Sequence, residues 1–124
     1  MGRRVTGVRR GVRRIDLLGV DEVPEGTMKM ALVDGVDQVL VINTGGSQGI
    51  RAVQGICTHE YFELDKGFLT GGTLTCALHL SRFDLSDGEP LDPPAELPLA
   101  VYPVVVEDGR ILIEVPDGPL PVNE

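Results

Sequence analysis

Apolar positions in this chain fall in short runs, separated by polar residues, Gly and Pro. Arg14-Ile15-Asp16-Leu17-Leu18 predicts a first strand, and Asp21 to Gly26 a turn. Met28 to Val33 predicts a second strand and Gln38 to Asn43 a third, joined by a hairpin-type connection at Asp34-Gly35. Thr44 to Ser47 is loop, and Ile50 to Val53 leads into the segment that begins at Cys57. Turns follow at Glu63 to Gly67 and at Gly71-Gly72, after which Thr73 to Thr75 delivers Cys76 and Arg82 to Asp84 continues away. Ser86-Asp87-Gly88 turns the chain again. Residues 90–98 carry Pro90, Pro93, Pro94 and Pro98, so they form a stiff loop and not a central strand. A last hairpin joins Val101 to Glu107 and Arg110 to Val115 through Glu107-Asp108-Gly109. No stretch shows the three-to-four spacing of an amphipathic helix, and no unit repeats. The fold class expected is all-β.

Composition adds to this picture only in part. Sixteen Gly and nine Pro in 124 residues suit turns, and the length suits one domain with a modest core. No apolar run nears the roughly 20 residues that cross a bilayer, and the N-terminus lacks the apolar core of a secretory signal. The expectation is a soluble, cytoplasmic monomer without a membrane partner.

Charge is uneven. Arg3, Arg4, Arg9, Arg10, Arg13 and Arg14 fill a leader with no acidic residue. Residues 15–124 hold five basic and 19 acidic side chains, a formal −14. Such a body repels nucleic acid and suits a basic protein surface. The leader has no interleaved aromatics, so residues 1–14 are expected to be a disordered leader or an upstream translation start. Folding of the Arg arm onto the acidic body is the other reading.

The chemistry concentrates in residues 57 to 79. The only two cysteines and the only two histidines are Cys57 and His59, then, after sixteen residues, Cys76 and His79. Four such side chains in two short clusters point to a metal centre. Each cluster is mixed, C-x-H and then C-x-x-H, whereas zinc fingers pair cysteines closely with cysteines and histidines with histidines. Two sulfide-bridged irons take four protein ligands, and a His pair can replace the Cys pair on one iron. A Cys2His2 zinc site, a Cys57–Cys76 disulfide and ordinary packed core residues are the competing readings. The disulfide leaves both histidines without a role.

The pattern Cys57-Thr58-His59, sixteen residues, Cys76-Ala77-Leu78-His79 resembles the ligand signature of Rieske [2Fe-2S] proteins. The resemblance covers roughly Ile15 to Val115. It implies an antiparallel β-sandwich bearing a small cluster-binding subdomain, with ligand loops 57–67 and 76–88. Residues 90–98 would be a proline loop over the cluster, and 116–124 a tail. It implies Cys57, His59, Cys76 and His79 as ligands of one [2Fe-2S] cluster, and an electron carrier in place of an enzyme.

The subtype follows from what is missing. Rieske proteins of quinol-oxidising complexes carry an extra cysteine in each loop, a membrane anchor and a tyrosine near the cluster. The matching positions here are Phe62, Leu78 and Phe83. With that donor gone, the potential is expected in the lower part of the Rieske range, about −150 mV to 0. Ser81 is a candidate replacement donor, and Tyr61, Phe62 and Leu80 a candidate apolar rim for a partner. Glu60, Glu63 and Asp65 are candidates for steering a basic partner.

His79-Leu80-Ser81-Arg82-Phe83 and the run Val39 to Asn43 with Gly49 to Ala52 are similar to ferredoxins of di-iron toluene and alkene monooxygenases. Those relatives commonly have Trp where Ser81 stands. The implied partners are an NAD(P)H-dependent flavin reductase and a terminal oxygenase of hydrocarbon catabolism. The alternatives are the ferredoxin of a Rieske non-haem aromatic-ring dioxygenase, and a metal- or redox-sensing interaction module.

Overall fold

The computed structural model describes residues 5–9, 11–33, 37–45, 49–57, 63–70, 72–77, 80–92, 97–118 and 120–122. Two four-stranded antiparallel sheets and one three-stranded sheet account for the architecture. The first sheet contains β1 (Val5–Arg9), β2 (Val12–Gly19), β10 (Val104–Glu107) and β11 (Arg110–Pro116), in the order β1-β2-β11-β10. The second contains β3 (Met28–Val33), β4 (Asp37–Asn43), β5 (Ile50–Gln54) and β9 (Val101–Tyr102), in the order β3-β4-β5-β9. The third is small: β6 (Phe68–Thr70), β7 (Thr73–Thr75) and β8 (Arg82–Asp84), in sequence order. No α-helix occurs among the described residues, only single 3-10 turns at Val20–Glu22 and Leu64–Lys66.

The unbroken apolar run Val39-Leu40-Val41-Ile42 follows from this layering. Side chains of a strand alternate between faces, and here both faces are covered. Val39, Val41 and Ala52 turn toward the first sheet, packing with Ile15, Leu17, Ile111 and Ile113. Leu40, Ile42 and Val53 turn the other way, toward Leu64, Leu74, Phe83 and Leu85 around the small sheet. The second sheet is therefore the shared wall between the sandwich core and the core of the candidate site.

Several sequence expectations change at their edges. Val101 to Glu107 is not one strand: Pro103 divides it, and the chain crosses from the second sheet to the first there. A proline has no N–H for a ladder, so it sits where pairing is exchanged. The Glu107↔Arg110 hairpin forms as read, with Asp108 at φ 51 and Gly109 at φ 75, the two left-handed residues that a type I′ turn requires. β6 has no counterpart in the sequence reading, since Phe68-Leu69-Thr70 is a short edge strand with one partly buried side chain.

The leader differs more. Residues 1–4 and 10 lie outside the described residues, but Val5–Arg9 pairs with β2, and Val12 to Arg14 open β2 itself. Arg14 donates to Glu107 and Glu114 at 2.9 Å each, so part of the Arg arm does lie on the acidic body. The tail also docks: Leu120 is buried in the sandwich core, the Tyr102 hydroxyl donates to the Pro121 carbonyl at 2.6 Å, and Arg13 donates to the Gly118 carbonyl. Among the described residues no helix is long and apolar enough to cross a membrane.

Candidate metal centre

The second core is where the two cysteines meet. Cys57 and Cys76 are both buried, share one apolar cluster with Leu40, Leu64, Leu74, Phe83 and Leu99, and are not joined in a disulfide. Each arrives at the end of a strand whose exit is closed by pairing.

For the first loop, β5 ends at Gln54, and Gly55 and Ile56 lead to Cys57. An antiparallel bridge between Ile56 and Glu63 closes the neck, with Cys57 directly after it. Gly55 donates to the Gln38 carbonyl and accepts from Leu64 N–H at 2.8 Å, tying both sides of the neck to the second sheet. Gln54 is polar but buried. Its Nε2 donates to the Ile56 carbonyl at 2.9 Å and its Oε1 accepts from Ala100 N–H at 2.7 Å. A buried amide needs such partners, and these fix the backbone one residue before Cys57.

For the second loop, β7 delivers Cys76 directly. Cys76 N–H donates to the Ser81 carbonyl and Leu80 N–H to the Cys76 carbonyl, both at 2.9 Å, closing residues 76–81 above the Thr75↔Arg82 pair. Closing so short a turn puts Leu80 at φ 60, a left-handed position that leucine rarely occupies. Its side chain remains 60% exposed. The loops meet at Gly67, where a Cβ would strike the Thr75 carbonyl oxygen, so only glycine lets the return of loop one lie on β7.

The residue whose carbonyl pairs with Cys76 N–H carries an unexplained hydroxyl. Ser81 is fully buried, and its Oγ has no hydrogen-bond partner among the described residues. Burying a hydroxyl unpaired costs about 1–3 kcal/mol, so the site asks for an acceptor. Two buried thiols on separate hairpins and one donor without a partner fit an inorganic sulfide cluster, which offers soft metal to the thiolates and sulfur acceptors to the hydroxyl.

The rest of the predicted set distributes as follows. His59, His79, Tyr61, Phe62 and Glu60 lie outside the described residues. Leu80 is exposed at the tip and Ser81 buried beneath it. Of the proline stretch, residues 93–96 lie outside the described residues, while Pro90 bridges to Phe83. Arg82, immediately after the loop, forks onto Asp92 with Nε–Oδ2 at 2.6 Å and Nη2–Oδ1 at 3.1 Å. The Arg82 hydrogen bond and charge hold the Asp92 carboxyl below its usual range, and Asp92 in turn raises the guanidinium. The Ser86 hydroxyl and backbone N–H hold Asp84 low in the same way.

Gln54 and Asp92 escaped the sequence reading. The signals were there: a polar residue closing the apolar strand Ile50 to Val53, and an acid placed between Leu91 and Pro93 in the proline loop.

Comparison with known proteins adds identity to geometry. The Rieske [2Fe-2S] domain model matches residues 13–103. The chain is 34% identical over 100 residues to the ferredoxin component of the naphthalene 1,2-dioxygenase system of Pseudomonas aeruginosa, covering 81% of this chain and 93% of that one. It is 35% identical over 108 residues to the 3-phenylpropionate/cinnamic acid dioxygenase ferredoxin subunit of Escherichia coli K12, covering 86% and 98%. A solved complex of reduced oxygenase and oxidized ferredoxin in carbazole 1,9a-dioxygenase contains a chain matching at TM-score 0.73 and 25% identity, covering 81% of this chain and 91% of that one.

These relatives correct the expected kinship with di-iron monooxygenase ferredoxins, because they belong to dioxygenase systems and are electron-carrier components, not enzymes. The features behind that expectation report packing. Val39 to Ile42 is apolar because β4 is covered on both faces, and Phe83 is fully buried in the second core. The cofactor of this fold is a Rieske-type [2Fe-2S] cluster. By the match over residues 13–103 and by these relatives, the chain belongs to the Rieske [2Fe-2S] domain family.

Proposed function

We propose that this chain is the ferredoxin of an aromatic-ring dioxygenase system, taking single electrons from an NAD(P)H-dependent flavin reductase and passing them to the terminal oxygenase in the cytoplasm. The observation that carries the reading is the convergence of Cys57 and Cys76, from two separately closed hairpins, into one buried apolar cluster. The relatives named above support the choice of a dioxygenase partner.

Cys57 and Cys76 are assigned as thiolate ligands, with His59 and His79 as the imidazole ligands given by the sequence pattern. When bound, the cluster supplies one-electron redox chemistry. The chain supplies everything else. Leu40, Leu64, Leu74, Phe83 and Leu99 keep water from the thiolate side. Ser81 Oγ, buried without a partner among the described residues, would be the donor available to a cluster sulfur and would favour the more negative, reduced charge state. Leu80, exposed at the tip next to His79, presents an apolar contact to the partner, with Tyr61 and Phe62 assigned to the same rim. The acidic body steers the molecule toward a basic docking surface.

Reconstitution tests the partner assignment. The purified protein is mixed with a flavin reductase and either a naphthalene-type dioxygenase or a di-iron monooxygenase, and product is measured. Product formation with the dioxygenase is expected. Turnover with the monooxygenase alone, or with neither, would sink the assignment.

A further inference from the structure

The sandwich core reaches the surface at one corner. β10 pairs with β11 through Val104↔Ile113 and Val106↔Ile111, so both valines share a face with two isoleucines of that core. Val104 still packs against the core, but Val106 is 51% exposed. β10 is the last strand of its sheet, so its outer edge is unpaired among the described residues. Facing it, Ile50 at the start of β5 is only partly buried. Between these walls runs an open groove of about 500 Å³, with Ile50, Val104 and Val106 on its apolar side and Glu25 and Asn43 on its polar side. Asn43 is already engaged: its Nδ2 donates to the Val23 carbonyl at 2.9 Å and its Oδ1 accepts from Gly45 N–H at 3.0 Å. Glu25 lies over Gly45, where a Cβ would strike its carboxylate, and is the one charged side chain among the described lining residues.

An open strand edge, an apolar trough and a carboxylate at its side match a ligand that is itself a strand, apolar on one face and carrying a cation. A second copy of this chain is a poor occupant, because a formal net charge of −8 sets two copies against each other.

We propose that this groove binds an extended basic segment of a partner protein, added as a strand to β10, with apolar side chains on Ile50, Val104 and Val106 and a lysine or arginine on Glu25. The inference goes beyond the electron-carrier reading and needs no cluster. β5 runs from Ile50 at the groove to Gln54, and Cys57 follows at its other end. A partner held at the groove therefore leaves the cysteine end of the molecule uncovered. The contact is a tether, separate from the surface through which electrons pass.

The test uses the full, cluster-loaded chain and a short fluorescent peptide in which valine and lysine alternate, followed by anisotropy. Two control peptides carry glutamate in place of lysine, or N-methylated amides that cannot donate to a strand edge. Wild type should bind the valine–lysine peptide saturably and neither control. Val106→Lys, which removes an apolar wall and adds a like charge, should weaken binding about 10-fold. Glu25→Gln should weaken it a few-fold, as loss of an exposed ion pair does.

The absence of saturable binding to wild type would overturn the proposal. Equal affinity in wild type and Val106→Lys would also overturn it, since that is general attraction of cations to an acidic protein. Equal binding of the N-methylated peptide would exclude strand addition, and this comparison on wild type decides the matter even if Val106→Lys fails to fold. Concentration-dependent dimerisation that Val106→Lys abolishes would give the groove to a second copy and overturn the basic partner.

Discussion

Ser81→Ala is the substitution for which the geometry gives a sign in each state of the protein. Without a cluster, the Oγ is a fully buried hydroxyl with no partner among the described residues. Removing it deletes an unpaired polar atom, so the apoprotein should be as stable as wild type or more so, by up to about 1–3 kcal/mol. With the cluster bound, the proposed role has the same hydroxyl as a donor to sulfur, a bond that would strengthen when an electron adds negative charge. Hydrogen bonds to charged acceptors are worth about 1.5–3 kcal/mol against about 1 for neutral ones, a difference of about 0.5–2 kcal/mol between redox states. For one electron, where 59 mV corresponds to a factor of ten, the potential should fall by about 20–85 mV. A spectroelectrochemical titration of both proteins reads this directly, with the reduced EPR line shape as a check that the ligands are unchanged. An unaltered potential in a correctly loaded variant, or a destabilised apoprotein, would refute the assignment of Ser81 as a donor to the cluster.

Leu80→Asn should separate stability from partner contact. Asparagine tolerates the left-handed backbone that costs leucine about 1 kcal/mol, so the melting temperature should hold or rise slightly, while electron delivery to the oxygenase slows. Unchanged delivery would remove Leu80 from the docking rim. Ser86→Ala addresses the acid limb: the Ser86 hydroxyl is the first cause of the lowered Asp84 pKa, with Oγ–Oδ1 at 2.6 Å. A depressed carboxyl contributes stability above its unfolded value of 3.8, and that contribution is lost as pH falls through the lower folded value. The variant should therefore melt below wild type at neutral pH and converge with it well below pH 3.8, and a difference independent of pH would exclude this linkage.

The family and its cofactor were legible because metal chemistry restricts residue type so tightly that two Cys and two His in mixed pairs leave few options. Strands with one exposed face were legible for a related reason, as in β2, where Ile15, Leu17 and Leu18 are buried while Asp16 reaches out to Arg110 at 2.8 Å. Other features depend on contacts distant in sequence. Gln54 bonds Ala100, Arg82 bonds Asp92 across a turn, and nothing local in either partner announces the other. The features read as pointing to a monooxygenase partner have a packing origin: Phe83 is buried and β4 is covered on both faces, so neither distinguishes one partner from another.

The most direct test of the account is an EPR-monitored redox titration of the anaerobically purified protein, with iron and zinc quantified in the same sample. The account predicts one reducible [2Fe-2S] centre per chain, titrating as a single electron between about −150 mV and 0. A potential near −400 mV would mean all-cysteine ligation as in plant-type ferredoxins, which two cysteines in one chain cannot supply alone. A colourless protein holding stoichiometric zinc would contradict the central claim and leave a structural metal site in its place.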